Sequence, residues 1–246
     1  MSYQGGKSKN SKFILDILNN PKFDNMNYLE PFMGYCHILR RIKNKKSYTA
    51  SDYNDNLFNL IKYIQTNTSY PNISKAEYQL LKTDKGTCKI KRAFAAYCYS
   101  YNGKEFGGYT VLSKTQTNGV VRNYPEERKR YYQTLYKNDT FSNTKLIHCD
   151  YRVHSVKNNI IYCDPPYKNT TRYNKNEFDH DIFWETMRKW SKYNHVYISE
   201  YSAPDDFVCI AEKSKWSSLS GKGSDSLRTE KLFVFINSLT HEKISD

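Results

Sequence analysis

A chain of 246 residues can bury a sizeable core without disulfide staples, which excludes a cross-linked miniprotein. Lys and Arg total 38 against 25 Asp and Glu, a net charge of +13 with a pI near 9.3, and such a surplus points to a polyanionic partner, nucleic acid ahead of an anionic membrane surface. A mean hydropathy of -0.83, no apolar run of spanning length and a start, MSYQGGKSKNSK, without an apolar signal core set aside a membrane-spanning or secreted chain and predict a cytoplasmic protein, while 15% aromatic residues argue against disorder.

Tyr3-Gln4-Gly5-Gly6-Lys7-Ser8 comes first. A P-loop would need a glycine where Met1 stands and a strand before it, so this is not one. Gly5 and Gly6 leading into a helix still offer free N–H groups and a lysine, suited to a carboxylate rather than a triphosphate. Phe13, Ile14, Ile17 and Leu18 then fall at helical period. Residues 27–29 read as a short strand ending at the acid Glu30, followed by the turn Pro31-Phe32-Met33-Gly34-Tyr35-Cys36 and a helix-like stretch, residues 37–40. Gly34 permits a close backbone approach to a ligand. Residues 48–51 form the next strand and end at Asp52, about twenty residues after Glu30, where a nucleotide-like site carries its ribose-binding carboxylate. The competing reading is capping of the following helix by Asp52 or Asn54. Leu57, Leu60, Ile61 and Ile64 mark that helix.

From residue 69 to 143 the rhythm breaks. Helix-like patches near residues 76–81 and 91–100 precede a polar, glycine-bearing, Tyr-rich segment without clear alternation. Between Leu80 and Thr140 there are 12 Lys and Arg against 5 Asp and Glu, interleaved with aromatic residues such as Phe94, Tyr97, Tyr99, Phe106 and Tyr131. Basic side chains neutralise phosphates and aromatic faces stack on bases, so this reads as an inserted nucleic-acid-reading lobe, with a solvated helical subdomain as the alternative. The strand rhythm then resumes. Residues 146–149 end at Asp150, residues 160–163 at Asp164 and residues 196–199 at Glu200, with Phe183, Trp184, Met187 and Trp190 at helical period between the last two. Strands alternating with amphipathic helices predict an α/β protein, a mainly parallel doubly wound sheet whose ligands bind outside the strands' carboxyl ends, where these acids fall.

The 6 cysteines include no CxxC pair and the 6 histidines are scattered singly, so no structural metal is expected. Cys149, Cys163 and Cys209 lie in apolar runs and read as small buried hydrophobes in a reducing compartment.

The most specific signal is Asp164-Pro165-Pro166-Tyr167 directly after an apolar strand. Two prolines cannot continue a ladder, so the chain stiffens into a turn. The Asp164 carboxylate and Pro165 carbonyl become adjacent acceptors with the Tyr167 ring nearby, a set suited to a planar amine on an aromatic heterocycle.

Taken together, these motifs resemble the DNA N6-adenine methyltransferases of the group that includes the bacterial DNA adenine methyltransferases and their phage relatives. Tyr3 to Lys7 is similar to that family's YxGGK-type motif, Glu30 to Cys36 to its EPFxGxG-type loop, and Asp164 to Tyr167 is its DPPY. Residues 101–108 (YNGKEFGG) are similar to the entry of its recognition region, and the order of motifs is the same. Cys36 departs from the usual small glycine, alanine or serine. The resemblance implies a Rossmann-like class I methyltransferase fold, with residues 1–68 and 144–246 as the catalytic domain and 69–143 as an inserted, mainly helical target-recognition lobe. It implies S-adenosylmethionine as cofactor, its methionine part held by Tyr3, Gly5, Gly6, Lys7, Glu30, Pro31, Phe32 and Gly34. Asp52 with Tyr53 would take its ribose, and Asp150 with Tyr151 its adenine. Asp164, Pro165, Pro166 and Tyr167 would be catalytic, Asp164 also bordering the cofactor. The target adenine in double-stranded DNA would be flipped out of the helix. Arg92, Lys104, Lys114, Arg122, Arg128 and Arg130 are candidates for DNA contacts. A homodimer and a partner restriction nuclease, as in restriction-modification, are open as further partners. The acceptor pair by itself would also serve cytosine N4 or adenine in RNA. A catalytically silent DNA-binding regulator and a generic basic nucleotide-binding module are the readings from other classes.

Overall fold

A computed structural model describes residues 11–84, 86, 88–114, 119–167, 178–217 and 226–237. Helix α1 (Lys12–Leu18) leads into β1 (Asn27–Glu30), β2 (Ser47–Asp52) and α2 (Asp55–Thr66). Then come α3 (Lys75–Thr83), α4 (Lys89–Tyr97), a two-stranded antiparallel ribbon of β3 (Leu112–Lys114) and β4 (Val121–Asn123), α5 (Tyr124–Tyr136) and the short α6 (Asp139–Ser142). The chain returns to the main sheet with β5 (Lys145–His148), β6 (Asn159–Cys163), α7 (His180–Ser191), β7 (His195–Glu200), β8 (Phe207–Ser217) and β9 (Ser226–Phe235).

The sheet has seven strands in the order β5-β2-β1-β6-β7-β9-β8. The first five in that order run parallel, and β9 is antiparallel to both β7 and β8. Parallel strands covered on both faces read as continuous apolar runs, and β6 accordingly buries every one of its residues. After β5 the chain jumps back across the sheet to β6. Strand order therefore reverses between β1 and β6, the place where such sheets open a crevice at their carboxyl ends. All five expected strands are present, as are the helices anticipated over Phe13 to Leu18, Leu57 to Ile64 and Phe183 to Trp190.

Side-chain caps set the helix starts. Asn54, Ser74, Asn123 and Asn138 each accept the N–H three residues on, opening α2, α3, α5 and α6, and Asp179 opens α7 the same way. Within residues 69–143 neither the β3–β4 ribbon nor α5 was legible; the buried face of α5 is Pro125, Arg128, Tyr132 and Leu135 rather than an aliphatic stripe. Helices α4 and α5 pack on α2, and their buried residues are continuous with those of the sheet. Phe94 of α4 meets Tyr63 of α2 and Tyr132 of α5 edge-on at 5.6 and 6.0 Å, and lies tilted against Tyr70 at 5.7 Å. The thiols divide: Cys163 is buried as expected, Cys149 is half-buried, and Cys209 is exposed on β8, at the register shift between Cys209 and Ala211.

One shared core makes a thermodynamic prediction. Phe94→Ala should cost about 3–5 kcal/mol, the usual scale for emptying a buried aromatic site, and should lower a single unfolding transition. Calorimetry showing two transitions, with only one displaced, would mean that the helical segment folds separately.

Candidate active site

The reversal point is built from the ends of β1, β2 and β6. Parallel register sets Glu30 of β1 beside Ala50 of β2, and Leu29 beside Ile161 of β6, so Glu30, Asp52 and Asp164 all leave the sheet at one edge. Glu30 is 2% exposed and accepts the Tyr28 hydroxyl at 2.7 Å. Burial pushes its pKa up to about 8; the Tyr28 bond opposes the rise, and the nearby Asp164 carboxylate adds to it.

The turn after Glu30 is fastened to β2 by three bonds. The Met33 N–H donates to the Ser51 carbonyl at 3.0 Å, the Gly34 N–H to Asp52 Oδ2 at 3.1 Å, and the Ser51 hydroxyl to the Pro31 carbonyl at 3.4 Å. Gly34 lies at φ +48, and a Cβ built on it meets nothing within 4 Å, so the glycine is there for backbone freedom and an open approach. Cys36 lies at φ +56 and is buried. That left-handed conformation explains why the family pattern favours glycine here; the cysteine is accommodated at a steric cost. The helix-like reading of residues 37–40 becomes a 3-10 turn, Leu39–Arg41.

Asp52 is half-buried at the end of β2. Its Oδ1 accepts the Asn54 N–H at 3.0 Å, while Asn54, not Asp52, caps α2. The carboxylate thus holds backbone N–H groups from both sides. Burial raises this carboxyl to about 6 against the pull of those amide bonds. Tyr53 beside it is 76% exposed, an aromatic face open to a ligand. Phe32 lies at 5.2 Å from Tyr151 and 5.9 Å from Phe178, walling the turn with rings. Asp150 already holds a partner. Arg152 donates Nε and Nη2 to its two oxygens at 2.8 and 2.9 Å, and this pair holds the carboxyl below its ordinary range.

Asp164 follows β6 directly, half-buried, with Pro165 buried behind it. The Tyr167 ring meets Tyr201 edge-on at 4.8 Å. Its hydroxyl is pushed well up, first by burial and then by the charge of Asp164, with which it shares a hydrogen bond. Tyr3, Gly5, Gly6 and Lys7 lie outside the described residues. Acids, an open glycine turn and exposed aromatic surface at one strand edge form a donor set that fits a cationic nucleoside ligand such as S-adenosylmethionine. Among the described residues, no three His, Cys, Asp or Glu side chains converge as for a metal, and no helix is long and apolar enough to cross a membrane.

The six basic candidates separate. Lys104 and Arg130 are exposed, and Arg122 is paired through both arms with Glu127. Two calls need correction. Arg128 is 3% exposed and donates to the Cys98 carbonyl, so it stitches α5 to α4 rather than meeting a phosphate. Arg92 donates to the Leu81 and Asp84 carbonyls at the end of α3 and covers the Phe106 ring, which makes it a helix C-terminal brace. The Lys114 side chain lies outside the described residues. Sequence reasoning counted Tyr131 among the lobe's aromatics and Glu105 within residues 101–108 but gave neither its role: the Tyr131 hydroxyl donates to the Tyr35 carbonyl at 2.8 Å, and Glu105 accepts from Asn54 and Asn56. Both act across long sequence separations that no local pattern reveals.

Residues 3–219 match the family model described as D12 class N6 adenine-specific DNA methyltransferase. The chain belongs to that family. No curated protein matches it in sequence. Similar solved structures include protein 1320 of Thermoplasma acidophilum, at 10% identity and TM-score 0.43 over 95% of this chain and 91% of that one. The rRNA methyltransferase aviRa of Streptomyces viridochromogenes stands at 10% identity and TM-score 0.40 over 94% and 84%. The precorrin-6y C5,15-methyltransferase of Geobacter metallireducens GS-15 stands at 5% and 0.37 over 90% and 85%. As a member of its family, the methyltransferase takes its methyl group from S-adenosylmethionine and acts on adenine N6 in DNA.

Glu30 gives the enzyme a pH-dependent stability. Its ordinary pKa is 4.5 and its folded value about 8, so its contribution is fully present below 4.5 and is lost as pH rises through 8. Glu30→Gln, which stays neutral, should leave melting temperature nearly unchanged at pH 5 and raise it above wild type at pH 9. Parallel pH profiles would place Glu30 in a solvated setting instead.

Proposed function

We propose that Asp164 and the Pro165 carbonyl accept the two N–H bonds of an adenine amine extruded from double-stranded DNA, and that Tyr167 stacks on its ring. The observation that carries this reading is the position of Asp164-Pro165-Pro166-Tyr167 at the carboxyl end of β6, next to the Glu30–Gly34 turn of β1. The amine lone pair is conjugated into the purine. Two acceptors on its protons draw electron density back onto nitrogen and fix its direction, an effect that grows as positive charge develops there. S-adenosylmethionine supplies the electrophilic methyl group on a sulfonium centre.

Asp52 takes the ribose hydroxyls, Tyr53 and Tyr151 flank the cofactor's adenine, and Gly5, Gly6 and Lys7 with Glu30, Pro31, Phe32 and Gly34 hold its methionine end. Asp150 accepts the adenine amine through the lone pairs that Arg152 leaves. Residues 69–143 form the target-recognition lobe, in which the exposure of Lys104 and Arg130 favours them as phosphate contacts. Activity on double-stranded DNA in the cytoplasm of a bacterial or phage-infected cell is the setting in which these parts act together.

Incubation with mixed-sequence duplex DNA and labelled S-adenosylmethionine, followed by digestion to nucleosides, tests the reading. N6-methyladenine is expected, and N4-methylcytosine would reassign the target. Asp164→Ala should cut turnover by roughly 10²-fold or more, the scale seen when one group acting on developing charge is removed. Near-wild-type turnover in that variant would take Asp164 out of the chemistry. Tyr167→Phe keeps the stacking face and should retain much of the activity, whereas Tyr167→Ala should lose about 1–3 kcal/mol of base stacking. Equal activity of the two variants would make Tyr167 a residue of the turn alone.

A further inference from the structure

One exposed carboxylate ties the entry of the inserted segment to the acid expected to hold the cofactor. Glu105 accepts Nδ2 of Asn54 at 2.8 Å, Nδ2 of Asn56 at 2.6 Å and the Tyr97 hydroxyl at 3.2 Å. Asn54 is the residue whose N–H holds Asp52 Oδ1 and whose side-chain oxygen caps α2. On the other side, the Tyr97 ring packs edge-on against Tyr35 at 5.8 Å, and Tyr35 follows Gly34, whose N–H holds Asp52 Oδ2. The contacts close a circuit: Glu105 to Asn54, Asn54 to Asp52, Asp52 to Gly34, Gly34 through Tyr35 to Tyr97, and Tyr97 back to Glu105.

The loop that carries Glu105 is itself held. The Tyr101 N–H bonds the Gly108 carbonyl at 2.8 Å, the Phe106 N–H the Ala96 carbonyl at 3.0 Å, and the Gly107 N–H the Lys104 carbonyl at 2.9 Å. A Cβ on Gly107 would come within 2.9 Å of Lys104 Cβ and 3.1 Å of its carbonyl oxygen, so the turn closes only with glycine. Lys104, the exposed basic candidate, is the residue next to Glu105. A ligand on Asp52 and a phosphate on Lys104 would therefore bias the same short loop.

We propose that Glu105 is a positioning residue that couples cofactor binding to DNA binding, by fixing the Lys104–Gly107 turn against the Asp52 end of β2. The inference rests on the assignment of Asp52 to the cofactor and of the inserted segment to DNA. All three groups facing Glu105 are donors. A carboxylate satisfies them together, whereas a glutamine would turn an NH2 group toward at least one of them. Coupling of this kind is reciprocal, so DNA must tighten the cofactor site by the same factor as the cofactor tightens DNA binding.

The test is calorimetric titration of S-adenosylhomocysteine into the protein alone, and into the protein saturated with a duplex carrying the sequence it methylates. Wild type, Glu105→Gln, Tyr97→Phe and, as a control, the exposed lobe acid variant Glu126→Gln are compared. Wild type and Glu126→Gln should show a ratio of dissociation constants within the roughly 5–150-fold range usual for coupled sites. Glu105→Gln should bring that ratio close to one, and Tyr97→Phe, which keeps the ring and loses one donor of three, should fall between. A purely structural Glu105 would lower the melting temperature of the variant and leave the ratio as in wild type. That outcome, or a wild-type ratio of one, overturns the proposal. If Asp52→Ala leaves S-adenosylhomocysteine affinity unchanged, the assignment of Asp52 fails first. If Asp52→Ala weakens it while Glu105→Gln keeps the coupling, only the role of Glu105 falls.

Discussion

The Asp52 carboxylate, by accepting two backbone N–H groups from different loops, fixes the shape of the site. Gly34 reaches it from the turn after β1, and Asn54 from the start of α2. Bonds to a charged acceptor contribute about 1.5–3 kcal/mol each, enough to hold a turn that passes through left-handed backbone at Gly34 and again at Cys36. Strand β1 ends four residues before Gly34, and past the Met33 N–H bond to the Ser51 carbonyl this anchor defines where the turn goes. The circuit through Tyr35 and Glu105 runs through it.

Parallel strands impose a cost along with this order. Their carboxyl ends lie at one edge, so Glu30, Asp52 and Asp164 are brought together, and burial disfavours the charges of Glu30 and Asp52. The upward displacement of Glu30 to about 8 and of Asp52 to about 6 records that penalty. A cationic ligand relieves it and a dianionic phosphate would add to it. The same electrostatics thus favours a sulfonium-bearing nucleoside over a nucleotide in a crevice whose topology both could use.

What could be read from the sequence follows from how local each signal is. Strands β1, β2, β5, β6 and β7 were legible because each is an apolar run stopped by an acid, and α1, α2 and α7 because their buried residues fall at helical spacing. The β8–β9 hairpin was not, since charged residues such as Glu212, Lys213 and Glu230 interrupt its apolar ones. Helix α5 was hidden by a buried arginine and by tyrosines in place of aliphatics. At the site, the Glu30 turn and the Asp164 motif are contiguous and so could be seen. The role of Glu105, though it lies within residues 101–108, could not, because the partners that define it, Asn54 and Asn56, lie 51 and 49 residues away in the chain.

The basic surplus of the inserted segment divides in a way that composition cannot express. Lys91 pairs with Glu77, Lys129 with Glu126 and Arg122 with Glu127, while Arg92 and Arg128 donate to backbone carbonyls at the end of α3 and of α4. Exposed pairs contribute little stability one at a time, but an arginine that satisfies helix-end carbonyls fixes how two helices meet. These cations therefore set the shape of the inserted segment, and they are engaged within it rather than held out toward a polyanion. A lobe ordered in advance loses little entropy when it docks. Its remaining exposed cations can then act by position, and Lys104 sits on the turn that Glu105 ties to Asn54, the residue whose N–H holds Asp52.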